Sequence, residues 1–146
     1  MKIFVTGVAG LLGSNIARRL TKDHKIVGCD TFIGGLKDNV PDCQFYEIDI
    51  LDTKAMTKAM EDCEMVIHTA ALPYEGLSVF SPAIVTQNIV GGTVSVASAA
   101  LANGTDMFIN FSSIIWTIFV RPTCVLYVLC SYFCWTNSII FFNFFC

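Results

Sequence analysis

The chain is 146 residues long with a formal net charge of −3, and 54% of its residues are hydrophobic; that suffices for one domain around one sizeable core and not for two. The weak acidic balance and the scattering of its nine Lys and Arg argue against a nucleic-acid surface or a polybasic membrane patch. Seven cysteines with no C-x-x-C pair, and only His24 and His68 beside them, make neither a disulfide framework nor a metal-ligand spacing and read as free thiols.

The first thirteen residues carry the strongest local pattern. Ile3 to Thr6 reads as a short apolar strand running into glycines at Gly7, Gly10 and Gly13, with a helix starting near Leu11. A phosphate cradle needs that order: a tight turn, a close backbone approach to a pyrophosphate, and tight helix-on-strand packing. The helix start then aims its free N–H groups at the anion. Leu12, Ile16, Ala17 and Leu20 recur on one helical face with Arg18, Arg19 and Lys22 opposite, the pattern of a helix lying on a sheet. Lys25 to Asp30 is the second strand. An acid at its end, seventeen residues past Gly13, is placed to accept hydrogen bonds from adenosine ribose hydroxyls. Its charge repels a 2′-phosphate, so Asp30 predicts NAD over NADP.

Thr31 to Asp42, with Gly34-Gly35 and Asn39-Val-Pro41, lacks periodicity and reads as a loop or short irregular helix. Gln44 to Ile48 is a third strand, closed by Asp49-Ile50-Leu51-Asp52. Asp52 or Thr53 caps the helix that follows, Thr53 to Glu61. Glu64 to Ala71 is a fourth strand, nearly all apolar, as a strand covered on both faces should be. His68 near its end reads as a satisfied core histidine before it reads as a catalyst. Ala70 and Ala71 are small where the strand passes close to a cofactor. Pro73 to Pro82 connects to a long helix with Ser81 as N-cap, Pro82 at the first helical position and Asn103-Gly104 as the stop. Gly91 and Gly92 inside it cost about 1 kcal/mol each relative to alanine. Close packing against a neighbour would explain them, and Asn88 is a candidate for a buried hydrogen bond. Met107 to Phe111, ending in Ser112-Ser113, is the fifth strand.

Strands alternating with helices imply parallel crossovers. Residues 1–113 therefore predict an α/β fold, a Rossmann-like doubly wound parallel sheet of about five strands. Its ligand sits at the carboxyl ends of the strands, where Thr6, Asp30, Asp49, Ala70 and Ser112 fall.

Together these motifs resemble the NAD-dependent epimerase/dehydratase branch of the extended short-chain dehydrogenase/reductases, which acts on sugar nucleotides. Thr6-Gly-Val-Ala-Gly-Leu-Leu-Gly13 is similar to the family's T-G-x-x-G-x-x-G, which makes Gly7, Ala9, Gly10, Leu11, Leu12 and Gly13 expected cofactor contacts. Asp30 matches the ribose-binding acid, and Asp49-Ile50 the adenine-contacting pair. His68-Thr-Ala-Ala71 resembles the H-x-A-A stretch beside the cofactor, with Ala70 and Ala71 as contacts. Asn88 with Gly91 and Thr93 resembles N-x-x-G-T. Phe111-Ser-Ser113 is similar to the strand carrying the catalytic serine, which the resemblance places at Ser113, with Ser112 beside the cofactor. The resemblance implies NAD as cofactor and a nucleotide-sugar as substrate. It also implies a catalytic Tyr-x-x-x-Lys, which this sequence lacks: the residues four places after Tyr46, Tyr74, Tyr127 and Tyr132 are Ile50, Ser78, Ser131 and Thr136. Without that pair Ser113 has no base to work with.

The chain changes character after Ser113. Every acidic residue and eight of the nine Lys and Arg precede it, whereas ten of the eighteen aromatics follow it. Residues 114–146 therefore read as a separate hydrophobic tail. Residues 122–146 carry no charge and are long enough to cross a bilayer, with Arg121 at its surface, so a membrane-anchored nucleotide-binding module is one expectation. The other is an out-of-frame or intron-derived tail, since its residue types are those of thymine-rich codons. Met1-Lys2 leads directly into a strand rather than a signal peptide, which predicts a cytoplasmic location.

Overall fold

The periodicity of the first strand divides the core in two. The structure, a computed structural model, describes residues 1–72, 74–113 and 139–144. In β1 (Lys2–Thr6), Ile3 and Val5 join one core cluster and Phe4 the other, as the two-residue strand period requires. Ile3 and Val5 pack with Val8, Ala17, Ile26 and Ile67 under α1 (Leu11–Leu20). Phe4 packs with Val27, Met56, Met60, Val66 and Val96 under α2 (Thr53–Ala59) and α5 (Gly92–Ala102). With both faces covered, β2 (Lys25–Asp30) and β4 (Met65–His68) are buried along most of their length.

Adding β3 (Gln44–Glu47), β5 (Met107–Ser113) and β6 (Ile139–Phe144), the strands lie in the order β3-β2-β1-β4-β5-β6, and every neighbouring pair is parallel. The chain winds outward from β1 to β3 and then returns to β4 on the other side of β1. The winding reverses between β1 and β4. This is the Rossmann-like doubly wound sheet that the sequence predicts, with one strand more than the five expected. The tail supplies that strand: Ile139–Phe144 pairs with β5 from Phe108 to Ser113. A run rich in isoleucine and phenylalanine suits a strand, and the unpaired backbone along β5 is a template for one.

The predicted anchor over 122–146 lies outside the described residues except for 139–144, which stand in the sheet. Among the described residues the one helix long and apolar enough to cross a bilayer is Pro82–Ala102. It runs without a break through α4 (Pro82–Thr86), a π-helical turn at Gln87–Gly91, and α5, whose Val96, Ala97, Ala99 and Ala100 belong to the core. Sequence periodicity does not announce the π-turn. Ser81 occupies the N-cap position but its side chain makes no capping bond, whereas the Asp52 carboxylate does cap α2, accepting from the Ala55 N–H at 3.0 Å. Asn103 and Gly104, the latter at φ +65°, end the long helix as expected. The stretch expected only to connect, 73–82, contains a short helix, α3 (Glu75–Phe80).

Gly92 is explained by packing. A Cβ there would stand 2.4 Å from the Ile50 Cδ1. That atom is the far end of a flexible side chain and can turn away. Gly92→Ala is therefore expected to cost a net of about 1 kcal/mol, the overpacking penalty less the helix-propensity gain, read from urea midpoints.

Candidate functional site

A cavity of about 430 Å³ opens at the carboxyl ends of the strands, where the winding reverses. Its floor is the turn after β1. Gly7 has φ +69°, and a Cβ on it would lie 2.9 Å from the Ala70 Cα, so the turn and the chain leaving β4 touch backbone to backbone. Only glycine meets both demands. At Gly13 a Cβ would stand 2.2 Å from the Gly7 carbonyl oxygen, because α1 begins directly against that turn. Gly10 is the N-cap of α1, brings no side chain to cap it, and no acidic residue occupies the first turn. The positive end of the helix dipole is thus turned toward the cavity without a carboxylate of its own.

Asp30 ends β2 beside this turn and organises it. Its Oδ2 accepts from the Ala9 N–H at 2.9 Å and its Oδ1 from the Phe32 N–H at 2.8 Å. Phe32 sits at φ +62°, a left-handed conformation that costs a non-glycine residue about 1–3 kcal/mol. The Asp30 bond, the Lys37 ammonium 5.2 Å over the Phe32 ring and the Phe45 ring 5.3 Å away hold it there. The loop then folds back over the turn: the Leu36 N–H and the Asn39 side-chain amide both donate to the Ala9 carbonyl, at 3.1 and 3.2 Å. Asp49 accepts from the Leu51 N–H at 2.9 Å, a local turn that closes β3.

His68, at the end of β4, is buried and fully engaged. The Thr6 hydroxyl oxygen accepts from the Thr69 and Ala70 N–H groups, each at 3.2 Å, so its own proton goes to the His68 Nδ1 at 2.7 Å. On the other side the Thr93 hydroxyl donates to the Ile89 carbonyl at 2.6 Å and so accepts from the His68 Nε2, 3.1 Å away. The bonding assigns a neutral ring with its proton on Nε2. Burial pushes its pKa down to about 4. This is the satisfied core histidine expected from the sequence. Burial also raises the Cys29, Cys43 and Cys63 thiols above their ordinary range, with nearby carboxylates adding to the effect. Among the described residues no group of His, Cys, Asp or Glu gathers closely enough to hold a metal ion.

Of the residues singled out in the sequence, Gly7, Gly10, Leu11, Leu12, Gly13, Asp30, Asp49, Ile50, Ala70, Ala71 and Asn88 all line this one cavity. Ala9 does not line it. It is completely buried, and its N–H and carbonyl are both spent on Asp30 and the 36–39 loop. Ser112 and Ser113 stand at the carboxyl end of β5, in register with Asn143 and Phe144, and the expectations for their side chains lie outside what is described. The sequence reading missed Thr31, Ile33, Gly34 and Gly35, which form one wall of the cavity. The Gly34-Gly35 doublet was the available signal: a Cβ on Gly35 would lie 2.7 Å from that of Ala9, so the doublet lets the loop approach the glycine turn. Thr69 and Leu72 also line it and were missed.

The sequence matches the family described as NAD dependent epimerase/dehydratase over residues 3–116. It is 34% identical over 124 residues to a UDP-glucose 4-epimerase of Klebsiella pneumoniae, covering 77% of this chain and 89% of that one. The crystal structure of UDP-glucose 4-epimerase from Brucella ovis in complex with NAD superposes with a TM-score of 0.73 at 36% identity, over 77% of this chain and 35% of that one. Another UDP-glucose 4-epimerase crystal structure shares the fold over 99% of this chain and 51% of its own, with a TM-score of 0.86 at 21% identity. The chain spans only 27% of an uncharacterized UDP-glucose epimerase of Bacillus subtilis and 34–39% of several other curated relatives. A match over most of its length, on a sheet whose reversal point carries the glycine turn and Asp30, means that the chain belongs to the NAD-dependent epimerase/dehydratase family.

Proposed function

We propose that residues 1–113 form an NAD-holding domain of a sugar-nucleotide epimerase or dehydratase, and that the sequence as it stands lacks the groups to complete catalysis. The observation that carries the reading is Asp30, which faces the cavity beside the glycine turn at the reversal point. The residues fit the cofactor: the approach of Gly13 to the Gly7 carbonyl leaves no room for a Cβ and brings the start of α1 against the cavity floor. Gly7, Gly10, Leu11, Leu12 and Gly13 would hold the pyrophosphate, and Asp30 the adenosine ribose. Each Asp30 oxygen accepts one backbone N–H, and a carboxylate oxygen has capacity for a further donor. Asp49 and Ile50 would flank the adenine, with Ala70, Ala71, Asn88 and Ser112 further along the site. When bound, NAD supplies a ring that accepts and returns a hydride. Ser113 would stand beside that chemistry without a partner, because no tyrosine here is followed four residues later by a lysine.

Calorimetric titration with NAD and with NADP tests this. NAD is expected to bind, and NADP at least about tenfold more weakly, because Asp30 repels the 2′-phosphate. Asp30→Ala is expected to weaken NAD at least about tenfold and to narrow the gap between the two cofactors. Absence of both heat and thermal shift with NAD would overturn the reading. Turnover of a UDP-sugar by the purified chain would overturn its catalytic half. A second reading, a membrane-anchored nucleotide-binding module, rests on the uncharged run 122–146. The pairing of 139–144 with β5 favours the first, with a cytoplasmic location. A product that resists alkaline extraction from membranes would favour the second.

A further inference from the structure

The hydrogen bonds through His68 end in the π-helical turn. Thr6 on β1 reaches the His68 Nδ1, the His68 Nε2 reaches Thr93, and the Thr93 hydroxyl closes on the Ile89 carbonyl at 2.6 Å. Ile89 lies within the π-turn Gln87–Gly91, and so does Asn88, which lines the cavity. Neither His68 nor Thr93 lines it. A π-turn closes its rings with one residue more than an α-turn. Between Asn88 and Thr93 the chain likewise carries one residue more than the N-x-x-G-T spacing. If that residue were absorbed by sliding back to a regular α-helix, everything before it would rotate about 100° against α5. Asn88 would leave the cavity and Ile89 would take its place. Something must hold the wider turn in place, and the bonds from the centre of the sheet end on its carbonyl.

We propose that Thr93 and His68 are positioning residues: the relay from Thr6 pins the π-turn in register and thereby aims Asn88 into the cavity. The cofactor arm of the test rests on the NAD reading above. Thr93→Val removes the hydroxyl at nearly constant shape, and Thr93→Ser keeps it. T93V is expected to weaken NAD about tenfold, T93S to restore the affinity, and Asn88→Ala to weaken it as much as T93V. The T93V/N88A double variant should be no weaker than N88A alone, because both changes act through one side chain. Additive losses in that cycle would overturn the proposal. A readout free of the cofactor separates its failure from that of the NAD reading. In the 15N-labelled full chain, the Asn88 side-chain amide resonance should shift in T93V and return in T93S. An Asn88 signal unmoved in T93V would overturn the proposal even if NAD binds. If T93V does not fold, Thr93→Ala carries the same comparison.

Discussion

Gly13→Ala is expected to lower the melting temperature by roughly 10 °C or more and to abolish cofactor binding. The added Cβ would stand 2.2 Å from the Gly7 carbonyl oxygen and 2.8 Å from its carbon, with the Thr69 Oγ1 also at 2.8 Å. The nearest atoms belong to the Gly7 backbone, which has no rotamer through which to escape. The start of α1 would have to lift from the turn, at about 3 kcal/mol, the upper end of overpacking costs. For a domain of this size that corresponds to roughly 3–6 °C per kcal/mol. Gly76→Ala is the control. Nothing lies within 4 Å of a Cβ at Gly76 in α3, so alanine there is expected to gain about 0.5–1 kcal/mol of helix propensity. A G13A protein that melts with the wild type and still binds NAD would refute the packing argument.

The second large effect is acid destabilisation through His68. Its folded pKa is about 4 against an ordinary 6.5, because burial penalises the charged ring. The unfolded chain therefore takes up a proton as pH falls through 6.5, while the folded chain does not until about 4. The stability this ring allows is complete above pH 6.5 and is lost progressively between 6.5 and 4, a total of about 3 kcal/mol. The hydrogen bonds give the same sign. A proton on Nδ1 would confront the Thr6 oxygen with a third donor and leave the Thr6 hydroxyl proton without its acceptor. Urea midpoints across this pH range are expected to fall more steeply for the wild type than for His68→Gln. Parallel slopes would show that the ring titrates normally.

Most of the sheet was legible because its signals are local. The alternation in Ile3-Phe4-Val5, the glycines after it and the carboxylate ending Lys25–Asp30 each follow from a few neighbouring residues. The cavity wall built by Asp30, Asp49, Ala70 and Asn88 was legible for the same reason, each residue marking a strand end or a helix turn. What escaped depends on contacts distant in sequence. Asp30 reads as a ligand-facing acid, yet in the structure it also holds Ala9 and the left-handed Phe32, which nothing in the spacing reveals. The π-turn at Gln87–Gly91 looks like ordinary helix until His68 and Thr93 are seen to meet beside it. The sixth strand was hidden in a tail whose composition points to several fates at once.

The position of β1 has a consequence for synthesis. Its partners are β2 and β4, and the Thr6–His68 contact closes over 62 residues of chain. At ribosomal rates of about 5–20 residues per second, the central strand waits roughly 3–12 s before its second neighbour exists. During that interval β1 has only one of its two sheet neighbours, and Ile3 and Val5 on one face and Phe4 on the other are incompletely covered. The nascent chain should therefore be most vulnerable to proteases and most attractive to chaperones before β4 emerges. In a parallel sheet wound from its middle, the strand at the middle is among the last to be enclosed.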